Sequence, residues 1–386
     1  MGLPNVYITV NRSGLGLIAY TNDGIMGIVV SGASVVEGIQ VGEPRAMYSL
    51  SDAENLGITE DDNPTAYKQI KEYYDEAGNG QKVWIVLSDG NSMSDSVSGT
   101  SNVVRTLIEA GNGEISLIGL CRGVNQSGSI VDGLDNDVAI TMQAAQILAD
   151  EYQEKIMPVS FVIDGIGFSG DENSVADLHT MTKHRCSIIL AASEDDGVAS
   201  VGQFVGRLAS IPVQRKASRI KDGELTNLKA YLTDGATVDN RMPAMGVLHD
   251  KGYIVYRVIP GRTGYFYSGD PTATLPTDDL NIIARNRVMD KVIKIAYNVY
   301  SEELDDDVPV DDQGNVEPAV CGNLQTKIEQ QVNGNMEGEI SSFSAFVDPV
   351  QNILSGRPFE VVLSIVPRGY LNAINVTIGF TNPFNN

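Results

Sequence analysis

Cysteine, histidine, positive charge and long apolar runs are all scarce in this sequence, and each scarcity removes a class of function. Its three cysteines, Cys121, Cys186 and Cys321, are odd in number and far apart, which excludes a disulfide framework and leaves buried thiols. With three histidines in 386 residues, a catalytic triad has little to draw on. No stretch reaches the roughly 18 to 20 apolar residues of a membrane span, and the first residues carry neither a basic leader nor an apolar signal core, so direct membrane insertion is not expected. Lysine and arginine number 27 against 50 acids, a formal net charge of -23, which argues against nucleic acid as a partner because phosphate neutralisation needs clustered cations. Neither a tandem repeat nor a low-complexity segment is present.

What remains is the composition of a folded protein, 42% hydrophobic and 20% charged, with length for two or three domains. Residues 6–10 alternate, Val6, Ile8 and Val10 on one side and Tyr7 and Thr9 on the other, the period of a half-buried strand. No hairpin partner follows, so this strand is expected to pair with a distant segment or with another chain. Apolar runs at 82–88, 115–121, 158–164 and 186–192 have the length and β-branching of buried strands, and helical patterns lie at 66–77, 102–110, 138–154, 174–183 and 200–210. This alternation predicts an α/β layer on a mainly parallel sheet. A strand is expected at 253–259 and helices at 280–300 and 318–332, the first of them N-capped by Thr277 or Asp278. A strand-like segment at 339–346 leads into a C-terminal β region. It ends with Ile374, Val376, Ile378 and Phe380 alternating with Asn375, Thr377 and Gly379.

The 280–300 helix gathers Ile282, Met289, Val292, Ile293, Ala296, Val299 and Tyr300 on one face and Arg287, Lys291 and Lys294 on another. A basic face in so acidic a chain predicts a surface turned toward an acidic partner, since like charges at helical spacing repel one another by some tenths of a kcal/mol per pair.

Candidate chemistry is thin. GIGFSG places Gly165, Gly167 and Gly170 at the spacing of a dinucleotide fingerprint, but Asp171 and Glu172 would set two negative charges where phosphate must sit. His179, His184 and Cys186 match no metal-ligand spacing. In the acidic connector, Asp305 and Asp307 run into Pro309, and Val310 occupies the place of the turn glycine a calcium loop needs. Ser169 in GFSGD lacks the glycine spacing of a nucleophile elbow. No catalytic residue, cofactor or metal is therefore expected.

Several segments resemble the contractile tail sheath proteins of bacteriophages and phage-tail-like injection systems. PNVYITV followed by AYTNDGIMGIVVSG is similar to the opening strand and first core strand of that family, and YSLSDAENLG then AYKQIKEYYDEAGNGQKVWIVL to its helix, small-residue turn and central strand. SVGQFVGRLASIPVQRKASRIKDG, RTGYFYSGDPTAT and IARNRVMDKVIKIAYNVY resemble a phage and prophage branch, and FEVVLSIVPRGYLNAINVTIGF resembles the last two strands. The resemblance implies an α/β (α+β overall) fold, with an outer strand-helix domain at 19–252, of one or two subdomains, inserted into an inner α+β assembly domain at 253–371. Strand arms at 1–18 and 372–386 are implied to pair with neighbouring subunits. It further implies a non-enzymatic subunit that stacks as hexameric rings around an inner tail tube and contracts to drive the tube through a target envelope. The implied partners are copies of itself, the tube protein, and baseplate and tail terminator proteins, with synthesis in bacterial cytoplasm. Arg287, Lys291 and Lys294 would then face the tube. The alternatives are a nucleotide-binding α/β enzyme using GIGFSG and a non-contractile phage structural protein.

Overall fold

A computed structural model describes residues 23–34, 38–99, 102–123 and 128–380. Its centre is β1, Met26–Ser31, whose six residues are all buried. A run such as MGIVVS has no polar side to give to water, so it stays in the core only if both faces are covered. Around it lie β2 (Arg45–Met47), β3 (Val83–Ser88), β4 (Leu117–Arg122), β5 (Ser160–Asp164) and β6 (Cys186–Ile189), in the order β2-β3-β1-β4-β5-β6. All but the antiparallel edge strand β2 run parallel. The expected α/β layer is therefore present.

Helices cover both faces. On one side α2 (Pro64–Ala77) and α6 (Val201–Ala209) pack together; on the other lie α3 (Met93–Ser98), α4 (Val103–Gly111) and α5 (Asn136–Glu154). The short α1 (Leu50–Asn55) is started by a reciprocal capping box between Ser49 and Asp52. The α2–α6 contact is close because α6 has no side chain where it meets α2. A Cβ on Gly202 would lie 1.9 Å from the Gln69 carbonyl oxygen, and one on Gly206 would lie 2.5 Å from that of Tyr73.

Several expectations need correction. The 174–183 segment forms turns, one 3-10 turn, Leu178–Thr180, and a two-residue strand, Thr182–Lys183, paired with Ala273–Thr274, in place of a helix. Asp171 accepts from the Asn173 amide and Asp177 from the His179 amide, so short polar side chains hold the backbone in local turns that compete with a helix. The sheet also continues past the expected domain boundary at 252. Ile254 bridges to Ile189, after α7 (Met242–Asp250), and one continuous core runs from Ile25 to Ile283. Within the strand expected at 253–259, only Tyr256–Arg257 forms a ladder, with Phe266–Tyr267.

The C-terminal unit consists of α8 (Ile283–Ser301), α9 (Pro318–Asn335) and a hairpin of β7 (Ile340–Phe346) and β8 (Val362–Pro367). Val292, Ile295, Ile328, Val332 and Phe343 form its core. Neither Thr277 nor Asp278 caps α8: the carboxylate of buried Asp270 accepts from the Ala284 amide at 3.1 Å, and its carbonyl accepts from that of Ile283. The cap comes from a residue 14 positions upstream, out of reach of local patterns.

Candidate assembly surfaces

The hairpin is a sheet of two strands, and neither pairs with a further strand among the described residues. Phe343 and Ala345 of β7 are buried over the C-terminal core, and Leu363 and Ile365 of β8 are half-buried against it. On the outer edge of β7 the Ala345 amide donates to Glu329 and its carbonyl accepts from Gln325, both on α9, whereas the outer edge of β8 pairs with no strand among the described residues and is a template for strand addition. Beneath β8 runs an apolar groove of about 560 Å³ whose walls include Met289, Ile293 and Tyr297 of α8, with Ile156 from the turn after α5 at its margin.

From Arg368 to Phe380 the chain makes no ladder among the described residues. Ile374, Val376 and Ile378 are 71%, 73% and 90% exposed, and Asn375, Thr377 and Phe380 are exposed as well. The expected C-terminal strand thus has its alternating pattern but no partner within the described chain. Val6, Tyr7, Ile8, Thr9 and Val10 lie outside the described residues.

The basic face of α8 turns inward, which corrects the expectation that it faces a separate acidic body. Arg287 is 2% exposed and donates to the carbonyls of Asp23 and Ile211 at 3.2 and 3.3 Å. Lys291 is 7% exposed and lies 2.5 Å from the Asp23 carboxylate and 2.8 Å from that of Glu339. Lys294 is half-buried, and burial pushes its ammonium pKa down. The acids that compensate Lys291 come from residues hundreds of positions before and tens after it. Helical periodicity could show that the face was basic but not that the chain supplies its own counter-charges. The buried stripe is likewise rotated, to Ile283, Val288, Val292, Ile295 and Val299.

The GIGFSG loop follows β5 but opens no helix. A Cβ on Gly165 would meet the Leu190 side chain at 2.4 Å, Gly167 (φ +73°) abuts Asp135, and the Gly165 carbonyl accepts from Thr233. These glycines serve close packing, and no helix N-terminus stands there for a pyrophosphate. The crevice where an open α/β sheet reverses strand order, between β1 and β4, is filled by the protein's own charges. Arg122 at the end of β4 pairs with Asp135 at 2.5 Å and Asp137 at 3.2 Å, and Asp137 accepts from the amides of Met93 and Ser94. His179 bonds the Thr274 carbonyl at 3.2 Å, Cys186 is buried, and among the described residues no cluster of His, Cys, Asp or Glu is placed to hold a metal. In the acidic connector, Lys327 pairs with Glu302 and Glu303, and Asp311 is held by the amides of Gln313 and Asn315.

Solved structures share this arrangement along nearly the whole chain. A chain of the anti-feeding prophage baseplate, 6-fold symmetrised, superposes with a TM-score of 0.65 at 13% identity, covering 99% of this chain and 100% of that one. The anti-feeding prophage helical sheath in its contracted state gives 0.64 at 13% identity, with 99% of each chain covered. The contracted sheath complex PVC of an extracellular contractile injection system gives 0.60 at 12% identity, with 98% of each covered. No curated protein matches the sequence. Residues 3–270 match the family described as DUF2586, N-terminal domain, and residues 279–385 match DUF2586, C-terminal domain. The two matches meet where the sheet unit gives way to α8, and together they show that the chain belongs to the DUF2586 family, with the fold of contractile tail sheath proteins.

Proposed function

We propose that this chain is the structural subunit of a contractile tail sheath, stacking as hexameric rings around an inner tube and joined to its neighbours by exchanged strands. The observation that carries the reading is the combination, in one subunit with a sheath fold, of a hairpin whose β8 edge pairs with no further described strand and an apolar strand-patterned segment at 374–380 left in water. Exposed edges and exposed apolar strands are liabilities for a solitary protein. In a lattice each supplies what the other lacks: backbone hydrogen bonds link the copies, and alternate side chains fix the register.

In this reading residues 6–10 and 374–380 are the linking arms, and the α/β unit moves as a rigid body when the lattice contracts. The tube, baseplate and tail terminator proteins are its further partners, and the protein is made and assembled in the bacterial cytoplasm. Function resides in assembly, with no catalytic step. Electron microscopy of the purified chain tests this: ordered tubes are expected from the full chain, and none from chains lacking residues 1–12 or 375–386, which remain folded monomers. Tubes formed equally well without either arm would overturn the strand linkage, and a full chain that forms no tubes would overturn the sheath reading.

A further inference from the structure

Among the described residues, five non-glycine positions have positive φ: Asn102, Asn112, Asp132, Asp305 and Ile156. Four are asparagine or aspartate, which tolerate the left-handed region; a β-branched residue does not do so without strain. Ile156 closes α5 in a Schellman turn. Its amide donates to the Gln153 carbonyl at 3.1 Å and that of Met157 to the Tyr152 carbonyl at 2.9 Å, while its own φ is +59°. This is the position at which helices most often use glycine. A strained isoleucine here needs a reason, and its side chain supplies one: it reaches out of the α/β unit to the apolar groove between α8 and β8.

The groove has an occupant of matching chemistry. Its α8 wall runs from Met289 to Tyr300, about 16 Å at helical rise. A strand of residues 374–380 spans about 20 Å, with Ile374, Val376, Ile378 and Phe380 on one side. Laid along the free edge of β8, such a strand gains ladder hydrogen bonds while its apolar side enters the groove. The chain's own segment is led elsewhere: Tyr370 donates to the Gln214 carbonyl at 2.7 Å with the Lys216 ammonium over its ring, and 374–380 stays exposed.

Building on the sheath reading, we propose that Ile156 is a docking residue, through which the N-terminal α/β unit grips the 374–380 strand of a neighbouring copy seated in the α8–β8 groove. The junction then contacts both units of the receiving subunit, so arm docking and the orientation of the α/β unit are mechanically coupled.

The test sets fold stability against assembly. Ile156→Gly relieves the backbone strain, so the free subunit keeps or raises its unfolding midpoint, while the concentration needed for tube formation rises about tenfold for the lost apolar contact. A photo-crosslinking residue at 156 in wild-type-like tubes should capture the C-terminal tryptic peptide that follows Arg368, and in tubes mixed from isotopically light and heavy chains the capture should be between chains. If the wild type forms tubes and Ile156→Gly forms them at the same concentration, or capture is absent or within one chain, this inference fails and the sheath reading stands. If the wild type forms no tubes, both fail together.

Discussion

Arg185 and Asp290 form a buried ion pair that ties the parallel sheet to α8. Nη1 of Arg185 lies 2.7 and 2.8 Å from the two carboxylate oxygens of Asp290, and the residues are 1% and 2% exposed. Nη2 donates to Gln153 Oε1 at 2.7 Å, so α5 joins the same knot. Burial raises the Asp290 pKa, and the Arg185 charge and hydrogen bond oppose that rise.

Removing one partner leaves the other charged and buried, so Arg185→Met should cost about 3–5 kcal/mol in equilibrium denaturation. Arg185→Met combined with Asp290→Leu should recover most of that loss, because an apolar pair of similar volume no longer has a charge to desolvate. A double variant as unstable as the single one would mean that the pair stabilises through more than mutual compensation.

Glu72 provides a titratable brace on the opposite face of the sheet. Its Oε1 accepts from Ser193 and Ser200, its Oε2 is buried without a partner, and burial pushes its pKa up to about 6 from an ordinary 4.5. A carboxyl group whose pKa is raised on folding binds its proton more tightly in the folded state. Its stabilising contribution is therefore complete below pH 4.5 and is lost as pH rises through 6, a difference on the order of 2 kcal/mol. Denaturation curves between pH 4 and 7 should show the wild type gaining that much on Glu72→Gln as the pH falls. Parallel pH profiles for the two chains would assign the dependence to other groups.

Features set by local composition were legible in the sequence. β3 to β6 declared themselves as apolar runs because burial on both faces leaves no place for polar residues, and α2, α5 and α9 by their periodicity, whereas β1 was marked only by the resemblance of its segment to the first core strand of the sheath family. What depends on contacts distant in the chain was not legible. The burial of Arg287 and Lys291 rests on Asp23, Ile211 and Glu339, and the start of α8 rests on Asp270. The strain at Ile156 had no signal at all, since nothing in the residue type marks a left-handed turn. The alternation at 374–380 was visible, but whether the subunit itself supplies a partner strand only coordinates could show.

Gly202 and Gly206 belong with the contacts that local reading passed over. Neither has positive φ, so what they supply is absence of volume, letting α6 rest directly on the α2 backbone. Gly202→Ala would force the helices apart against a core that includes Tyr73, Phe204 and Val205. A loss of about 1–3 kcal/mol or more is expected, seen as a lowered unfolding midpoint, whereas Gly246→Ala on α7, where a Cβ meets open space, should be neutral or stabilising.

Lys291 separates an internal role from a partner-facing one. It joins Asp23, at the start of the described chain, to Glu339, just before β7, so one ammonium holds segments from both units against α8. Burial lowers its pKa, but the hydrogen bonds and charges of the two acids outweigh that and hold it above the ordinary lysine value. Lys291→Glu would place a third carboxylate between the first two. Because Asp23 and Glu339 keep partial contact with water, the expected cost is near the low end for a broken buried pair, about 3 kcal/mol, measured on the free subunit. Adding Glu339→Lys should restore part of it by re-forming one pair in reverse. If Lys291→Glu left the free subunit at wild-type stability and weakened only co-assembly with another protein, Lys291 would have to face that partner. The 2.5 and 2.8 Å contacts inside this subunit predict the opposite order, with lost stability first and lost assembly as its consequence.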